Sequence, residues 1–219
     1  MIKTAEILYD IWADSYDNGA NPQIHMEHED VLSLVDARPG EIILDLACGT
    51  GKYTAEFDKI GAKVIGADIS NEMLNQARSK SSQIDFIRLD IRKALPFEKS
   101  FFDKVNCAQC LAHIADLTFA MTEVNRILKK NAYFIFSVTH PEMYWDDYEI
   151  KGEIPVDVRE VDQQHKFNDY LSAIEASNLK LDRIVQIPVD SRIKDLLTEK
   201  SFKKVVGRFQ VLVMRLIKI

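Results

Sequence analysis

Three aspartates stand out by position. Asp45, Asp68 and Asp90 each sit at the end of a short apolar, β-rich run: "EIILDL" (41–46), "AKVIGADI" (62–69) and "IDFIRLD" (84–90). Directly after the first run comes "ACGTGKYT", with Gly49 and Gly51 ahead of a helix-like stretch. A lone strand-end Asp is ordinarily a turn or helix-cap residue. Three on successive strands, one of them beside a glycine loop, instead place carboxylates around one crevice. The two glycines let the backbone turn sharply and approach a ligand without a Cβ in the way. Asp68 is then positioned to accept the two hydroxyls of a ribose, and Asp90 to accept from an exocyclic amine such as that of adenine. A dinucleotide loop would need a third glycine at position 54, which is Thr54, and an acid beside the loop would repel a pyrophosphate. The expected ligand carries positive charge or hydroxyls rather than phosphates, which also disfavours a nicotinamide-dependent oxidoreductase.

Such a crevice needs strands that end side by side. Further strand-like runs appear at "FDKVNC" (102–107), "AYFIFSVT" (132–139), "LDRIVQIPV" (181–189) and "RFQVLVMRLIKI" (208–219). Amphipathic stretches at 52–60, 70–80 and 116–130 separate the first five strands. In "DLTFAMTEVNRILKK" the apolar residues 117, 120, 121, 124, 127 and 128 trace one helical face, and Lys129 and Lys130 suit the helix's C-terminus. This alternation predicts parallel strands joined by crossover helices, an α/β doubly wound sheet with helices on both faces. In such a sheet ligands bind beyond the carboxyl ends of the strands, where the topology reverses.

The flanks read differently. Residues 3–17 and 26–37 read as helices, and "KFNDYLSAIEASNLK" as another. Residues 140–165 are aromatic and acidic with no helical period, as expected of an excursion over the strand ends. With no internal repeat or linker, the chain reads as one domain over 1–219. Within it, 1–37 forms a helical lid and 140–165 lies on the substrate side.

The chain has 219 residues and a net charge of 28 minus 34, or −6. That balance argues against a nucleic-acid partner, whose binding rests on Lys and Arg neutralising phosphates. No apolar run approaches bilayer length, and the acidic N-terminus is unlike a signal peptide. A cytoplasmic protein with no membrane partner is expected. Three cysteines do not make a secreted disulfide framework.

The runs "ILDLACGTGKYT", "VIGADISNEMLNQAR", "DFIRLDIRKALPFEKSFFDKVNC" and "EVNRILKKNAYFIFSVTHP" resemble the successive motifs of class I S-adenosylmethionine-dependent methyltransferases. The likeness is greatest to their small-molecule branch, which includes the quinone-biosynthesis enzymes. "LYDIWADSYD" is similar to that branch's N-terminal helix over the cofactor. The resemblance implies a Rossmann-like, mostly parallel seven-stranded sheet with an antiparallel last strand. It also implies S-adenosylmethionine as cofactor, with S-adenosylhomocysteine as product, and a small-molecule acceptor. Carried over by position, Asp45 and the backbone of Ala47, Cys48, Gly49 and Gly51 would hold the methionine moiety. Asp68 would take the ribose, with Ile69 and Met73 against the adenine. Asp90 and Ile91 would meet the adenine edge, Cys107 and Ala108 the amino-acid end, and Tyr9 and Tyr16 would close the lid. The chain departs from the pattern at Ala47, where Gly is usual, and at Asn178, where Asn tolerates the left-handed cap that Gly serves.

A cationic sulfonium suits a carboxylate-rich crevice without phosphate sites. The implied chemistry is in-line displacement of the methyl group; the alternative is a binding protein that retains the cofactor and methylates nothing. His113 and His140 are candidate bases, since imidazole titrates near neutrality; packing beside the cofactor is the bland reading of each. His165 could reach the site from above, and His25 and His28 read as helix-start residues. A zinc site of Cys48, Cys107, Cys110 and His113 is disfavoured because it would occupy the cofactor's place, so no metal is assigned. Tyr144, Trp145 and Tyr148, with Glu142, Asp146 and Asp147, could line an acceptor pocket or pack on the sheet edge. The charge run "EKSFKK" (199–204) reads as a solvated face.

Overall fold

The computed structural model describes residues 4–18, 21–143, 148–151 and 155–219. Tyr144, Trp145, Asp146 and Asp147 of the expected acceptor pocket lie outside the described residues.

The predicted alternation folds into one sheet. Its strands are β1 (Ile42–Leu46), β2 (Lys63–Asp68), β3 (Asp85–Arg88), β4 (Phe102–Ala108), β5 (Leu128–Thr139), β6 (Leu179–Pro188) and β7 (Phe209–Lys218), in the order β3-β2-β1-β4-β5-β7-β6. Strands β1 to β5 run parallel, and β7 is antiparallel to both β5 and β6. The strand order reverses between β1 and β4, which sets the crevice above their carboxyl ends.

Side-chain alternation divides the core between the two faces. Leu44 and Leu46 join Val105, Phe134 and Phe136 beneath α5 (Leu117–Ile127) and α6 (Phe167–Ala176). Ile43 points to the other face with Ile135 and Val213, where Val31 of α2 (Pro22–Val35) and Phe57 of α3 (Lys52–Lys59) cover it. On this second face Asp45 must share its direction with Ile43, not with Leu44.

One boundary differs from the periodicity. α5 stops at Ile127, and Lys129 and Lys130 open β5 rather than closing the helix. The amide of Phe101 bonds the Ile127 carbonyl, and Lys129 reaches Asp103 at 2.7 Å. A strand contact with the β3–β4 connection therefore takes over where the apolar stripe would allow another helical turn. The run 199–204 lies in a short helix, α7 (Glu199–Val205), in which Ser201 and Val205 are buried.

An N-terminal helix, α1 (Ala5–Trp12), lies over the strand ends against α4 (Asn71–Lys80). Its acids hold it there. Asp10 accepts from the Ser70 hydroxyl at 2.5 Å, beside the α4 N-terminus where a negative charge is favoured. Asp14 accepts from Gln76, Asp17 from Thr50 and Lys80, and Glu6 from Arg88.

The two departures take the same backbone form, Ala47 in the β1–α3 loop and Asn178 between α6 and β6. Ala47 has φ +60° and Asn178 φ +57°, both left-handed. Asn visits this region readily, whereas an alanine there costs on the order of 1–2 kcal/mol. Ala47→Gly is expected to raise stability by about 0.5–1 kcal/mol, or about 1–4 °C in melting temperature. Thermal unfolding followed by circular dichroism measures it, and an unchanged or lower midpoint would show that the loop holds no such strain.

Candidate active site

A cavity opens above the ends of β1, β2 and β4 and beneath α1. Of the expected cofactor residues, Tyr9, Tyr16, Ala47, Gly49, Asp68, Ile69, Met73, Asp90, Ile91 and Ala108 form its walls. Asp68 is 8% exposed and is built into the loop opposite: the Gly49 amide donates to Oδ2 at 2.8 Å and the Ser70 amide to Oδ1 at 2.9 Å. Burial pushes its pKa up while these backbone donors pull it back. A carboxylate offers about four acceptor positions, so lone pairs remain on the cavity side for a pair of hydroxyls.

Asp45 is placed differently from the expectation of a carboxylate facing the crevice. It is 1% exposed and absent from the cavity wall, because strand alternation turns it toward α3. There Thr54 donates to Oδ2 and Asn106 to Oδ1, at 2.5 and 2.8 Å, tying β1 to α3 and β4. Burial raises its pKa to about 6. Cys48, Gly51 and Cys107 also lie behind the wall. The amide of Cys48 bonds the Ala67 carbonyl at 2.9 Å, and Gly51 caps α3 with φ +78°. The Cys107 thiol lies against Cys110, and that contact and burial push its pKa up. Asp90 is held by Arg92, whose backbone and guanidinium donate to it at 2.8–3.0 Å, which keeps its pKa below the usual range.

A second cavity adjoins the first. The two share Tyr9, Tyr16, Gln109 and His113. The second is lined further by Trp12, Gln23, Thr139, Tyr148 and the turn through Val156–Asp162. The Tyr9 hydroxyl lies 3.0 Å from His113 Nε2. Burial lowers the His113 pKa, against the raising effects of the Asp162 charge and the Val161 carbonyl, and raises that of Tyr9. At neutral pH Tyr9 keeps its proton and the imidazole is neutral, so a hydrogen bond joins the two neutral groups, its direction set by the imidazole tautomer. His113 Nδ1 is buried and has no hydrogen-bond partner among the described residues.

The other histidines stand elsewhere. His140 lines neither of these cavities; its Nδ1 accepts from the Glu142 amide at 3.2 Å and its ring packs on Phe209. His165 Nε2 is spent on the Ile114 carbonyl at 2.8 Å. His28 stacks on Tyr53, and burial lowers the pKa of both His25 and His28.

Sequence reading missed Gln109 and its support. Gln109 sits in left-handed backbone (φ +52°) just past β4, its amide bonded to the Ser137 carbonyl at 2.9 Å. Its Nε2 donates to Glu27 Oε2 at 2.5 Å, and Tyr53 donates to Oε1 at 3.1 Å. Glu27 is fully buried, and desolvation raises its pKa from 4.5 to about 7 despite those donors. Its position on α2 carries no sequence signal of this role.

The raised pKa fixes a sign for pH dependence. Between pH 4.5 and about 7 the folded chain holds a proton on Glu27 that the unfolded chain has released. The contribution to stability is complete below pH 4.5 and disappears as pH rises through about 7, a change on the order of 3 kcal/mol. Glu27→Gln is therefore expected to be stabilised relative to the parent at pH 8 by about 2–3 kcal/mol more than at pH 5. Urea unfolding at both values checks this, and equal differences at the two would refute it.

Residues 44–136 match a family model described as a methyltransferase domain. The chain is 35% identical over 130 residues to a ubiquinone/menaquinone biosynthesis C-methyltransferase of Vibrio cholerae, covering 55% of this chain and 48% of that protein. It spans less than half the length of the curated relatives it matches. Two solved structures share the fold. An S-adenosylmethionine-dependent methyltransferase of Mesorhizobium loti superposes with a TM-score of 0.71 at 21% identity, over 92% of this chain and 99% of that one. A Haloferax volcanii protein described as a putative methyltransferase, solved with the Trm112 methyltransferase activator, gives 0.76 at 21%, over 98% and 97%. The stretch that matches a methyltransferase domain, residues 44–136, thus lies on a seven-stranded Rossmann-like sheet whose fold is shared with solved S-adenosylmethionine-dependent methyltransferases.

Proposed function

We propose that the chain transfers a methyl group from S-adenosylmethionine to a small-molecule acceptor. The observation that carries this reading is the pair of adjoining cavities, whose common wall is Tyr9, Tyr16, Gln109 and His113. When bound, the cofactor supplies an electrophilic methyl group on a sulfonium sulfur. Asp68 is suited to accept from its ribose, Ile69 and Met73 to pack its base, and Asp90, oriented by Arg92, to accept from the adenine amine. Ala47, Gly49 and Ala108 line the side left for the amino-acid end.

An acceptor in the second cavity would approach the methyl group across the common wall. The contribution of the chain is then alignment of two reactants and exclusion of water. His113, neutral and backed by Val161 and Asp162, is placed to take a proton through Tyr9. His140 is farther from this role, since it borders neither cavity. The competing reading, a protein that binds the cofactor and methylates nothing, gives no reason for a second cavity sharing four residues with the first.

Calorimetric titration with S-adenosylmethionine and S-adenosylhomocysteine tests the cofactor assignment, and no heat from either at millimolar concentration would end it. Asp68→Ala is expected to weaken both by about 1.5–3 kcal/mol, roughly ten- to a hundredfold. Unchanged affinity would move the ribose elsewhere.

A further inference from the structure

The second cavity has a charge and surface chemistry of its own. Tyr9, Trp12 and Tyr16 all border it, with ring centroids 4.7 to 6.3 Å apart. Such a cluster offers several π faces to one group, and π faces attract cations. Two acids border it as well, Asp157 and Asp162. Arg159 is the one Lys or Arg on its wall among the described residues, and it is engaged by Asp157 through contacts of 2.5 to 2.9 Å. Asp162 accepts from the Gln164 amide at 2.8 Å and, among the described residues, forms no ion pair. Net negative charge therefore faces the cavity, and a carboxylate or phosphate ligand would find no cation that is not already paired.

We propose that this cavity takes an acceptor whose nucleophile is an amine nitrogen, held as its cation by Tyr9, Trp12, Tyr16 and Asp162 and methylated on nitrogen. The inference rests on the methyl-transfer reading above. The ammonium first gives up its proton to the Tyr9 oxygen as Tyr9 passes its own to His113 Nε2. The freed lone pair forms the new N–C bond while the C–S bond breaks, its electron pair remaining on sulfur as the neutral thioether. The product nitrogen carries the positive charge that the sulfur has lost. His113 returns its proton to solvent.

The test uses the full chain loaded with S-adenosylhomocysteine and three probes that share a phenyl ring and differ in charge: benzyltrimethylammonium, benzyl alcohol and benzoate. Calorimetry is expected to show the cation binding about tenfold more tightly than the alcohol, with benzoate weakest. Asp162→Asn keeps the bond to the Gln164 amide and is expected to reduce the cation's advantage to threefold or less. Its affinity for S-adenosylhomocysteine should stay within about twofold of the parent's, because Asp162 does not border the first cavity. The proposal is overturned if the cation binds no better than the alcohol, shows no binding at millimolar concentration, or keeps its full advantage in Asp162→Asn. Failure to load S-adenosylhomocysteine at all would instead remove the cofactor assignment and this inference with it. Loading without a cation preference removes this inference alone.

Discussion

The bond between the Gly49 amide and the Asp68 carboxylate is the constraint on which the rest of the donor side depends. It joins the loop after β1 to the end of β2, so two neighbouring parallel strands present their tips as one surface. A buried carboxylate is costly unless its acceptor positions are filled. Backbone donors on the inner side meet part of that demand, from Gly49 and Ser70. The positions facing the cavity are left for a ligand. Gly49 matters here for its left-handed backbone, φ +54°, which aims its N–H at the carboxylate.

The same economy of acids recurs around the lid. α1 buries Leu8 and Trp12 against the scaffold and leaves Ile7 and Ile11 exposed on its outer side. Further attachment comes from Glu6 and Asp10 and, just past the helix, from Asp14 and Asp17, bonded to donors on β3, the β1–α3 loop and α4 with its N-cap. Individually such contacts are worth little where water reaches them. Together they fix the register of the helix, which brings Tyr9, Trp12 and Tyr16 over the strand ends. Much of the chain's negative balance is thus local structure.

How far the sequence could be read follows from where each interaction originates. The sheet was legible because alternating apolar runs and amphipathic stretches are local signals, and so was a crevice at the strand tips. The residues on its wall were found where backbone position alone decides the matter, as for Gly49, Asp68 and Ile69. Asp45 shows the limit: a strand-end acid can be assigned to the tip from sequence, but which sheet face it takes depends on register, and here that face is α3. The end of α5 was hidden likewise, because Ile127 and Leu128 satisfy a helical stripe and a strand equally well. Gln109 and Glu27 were out of reach, since 82 positions separate them and neither type marks a site by itself.

That division also explains why the two cavities differ in how firmly their ligands can be argued. The first is built largely from a glycine loop and strand tips inside residues 44–136, where the family match lies and backbone geometry does most of the recognition. The second is made, beyond Gln109, Ala112 and His113, by residues outside that match, chiefly from α1, the start of α2 and the turn through Val156–Asp162. Its selectivity must therefore come from side-chain chemistry: aromatic faces, neutral amides and hydroxyls, and acids in excess of bases. Placing such a surface beside a cationic donor has an electrostatic consequence. The negative charge that holds a cationic acceptor also offsets its repulsion from the sulfonium, so both partners can occupy adjoining spaces before the methyl group moves. A cavity rich in free arginine would favour anions and would lose that compensation.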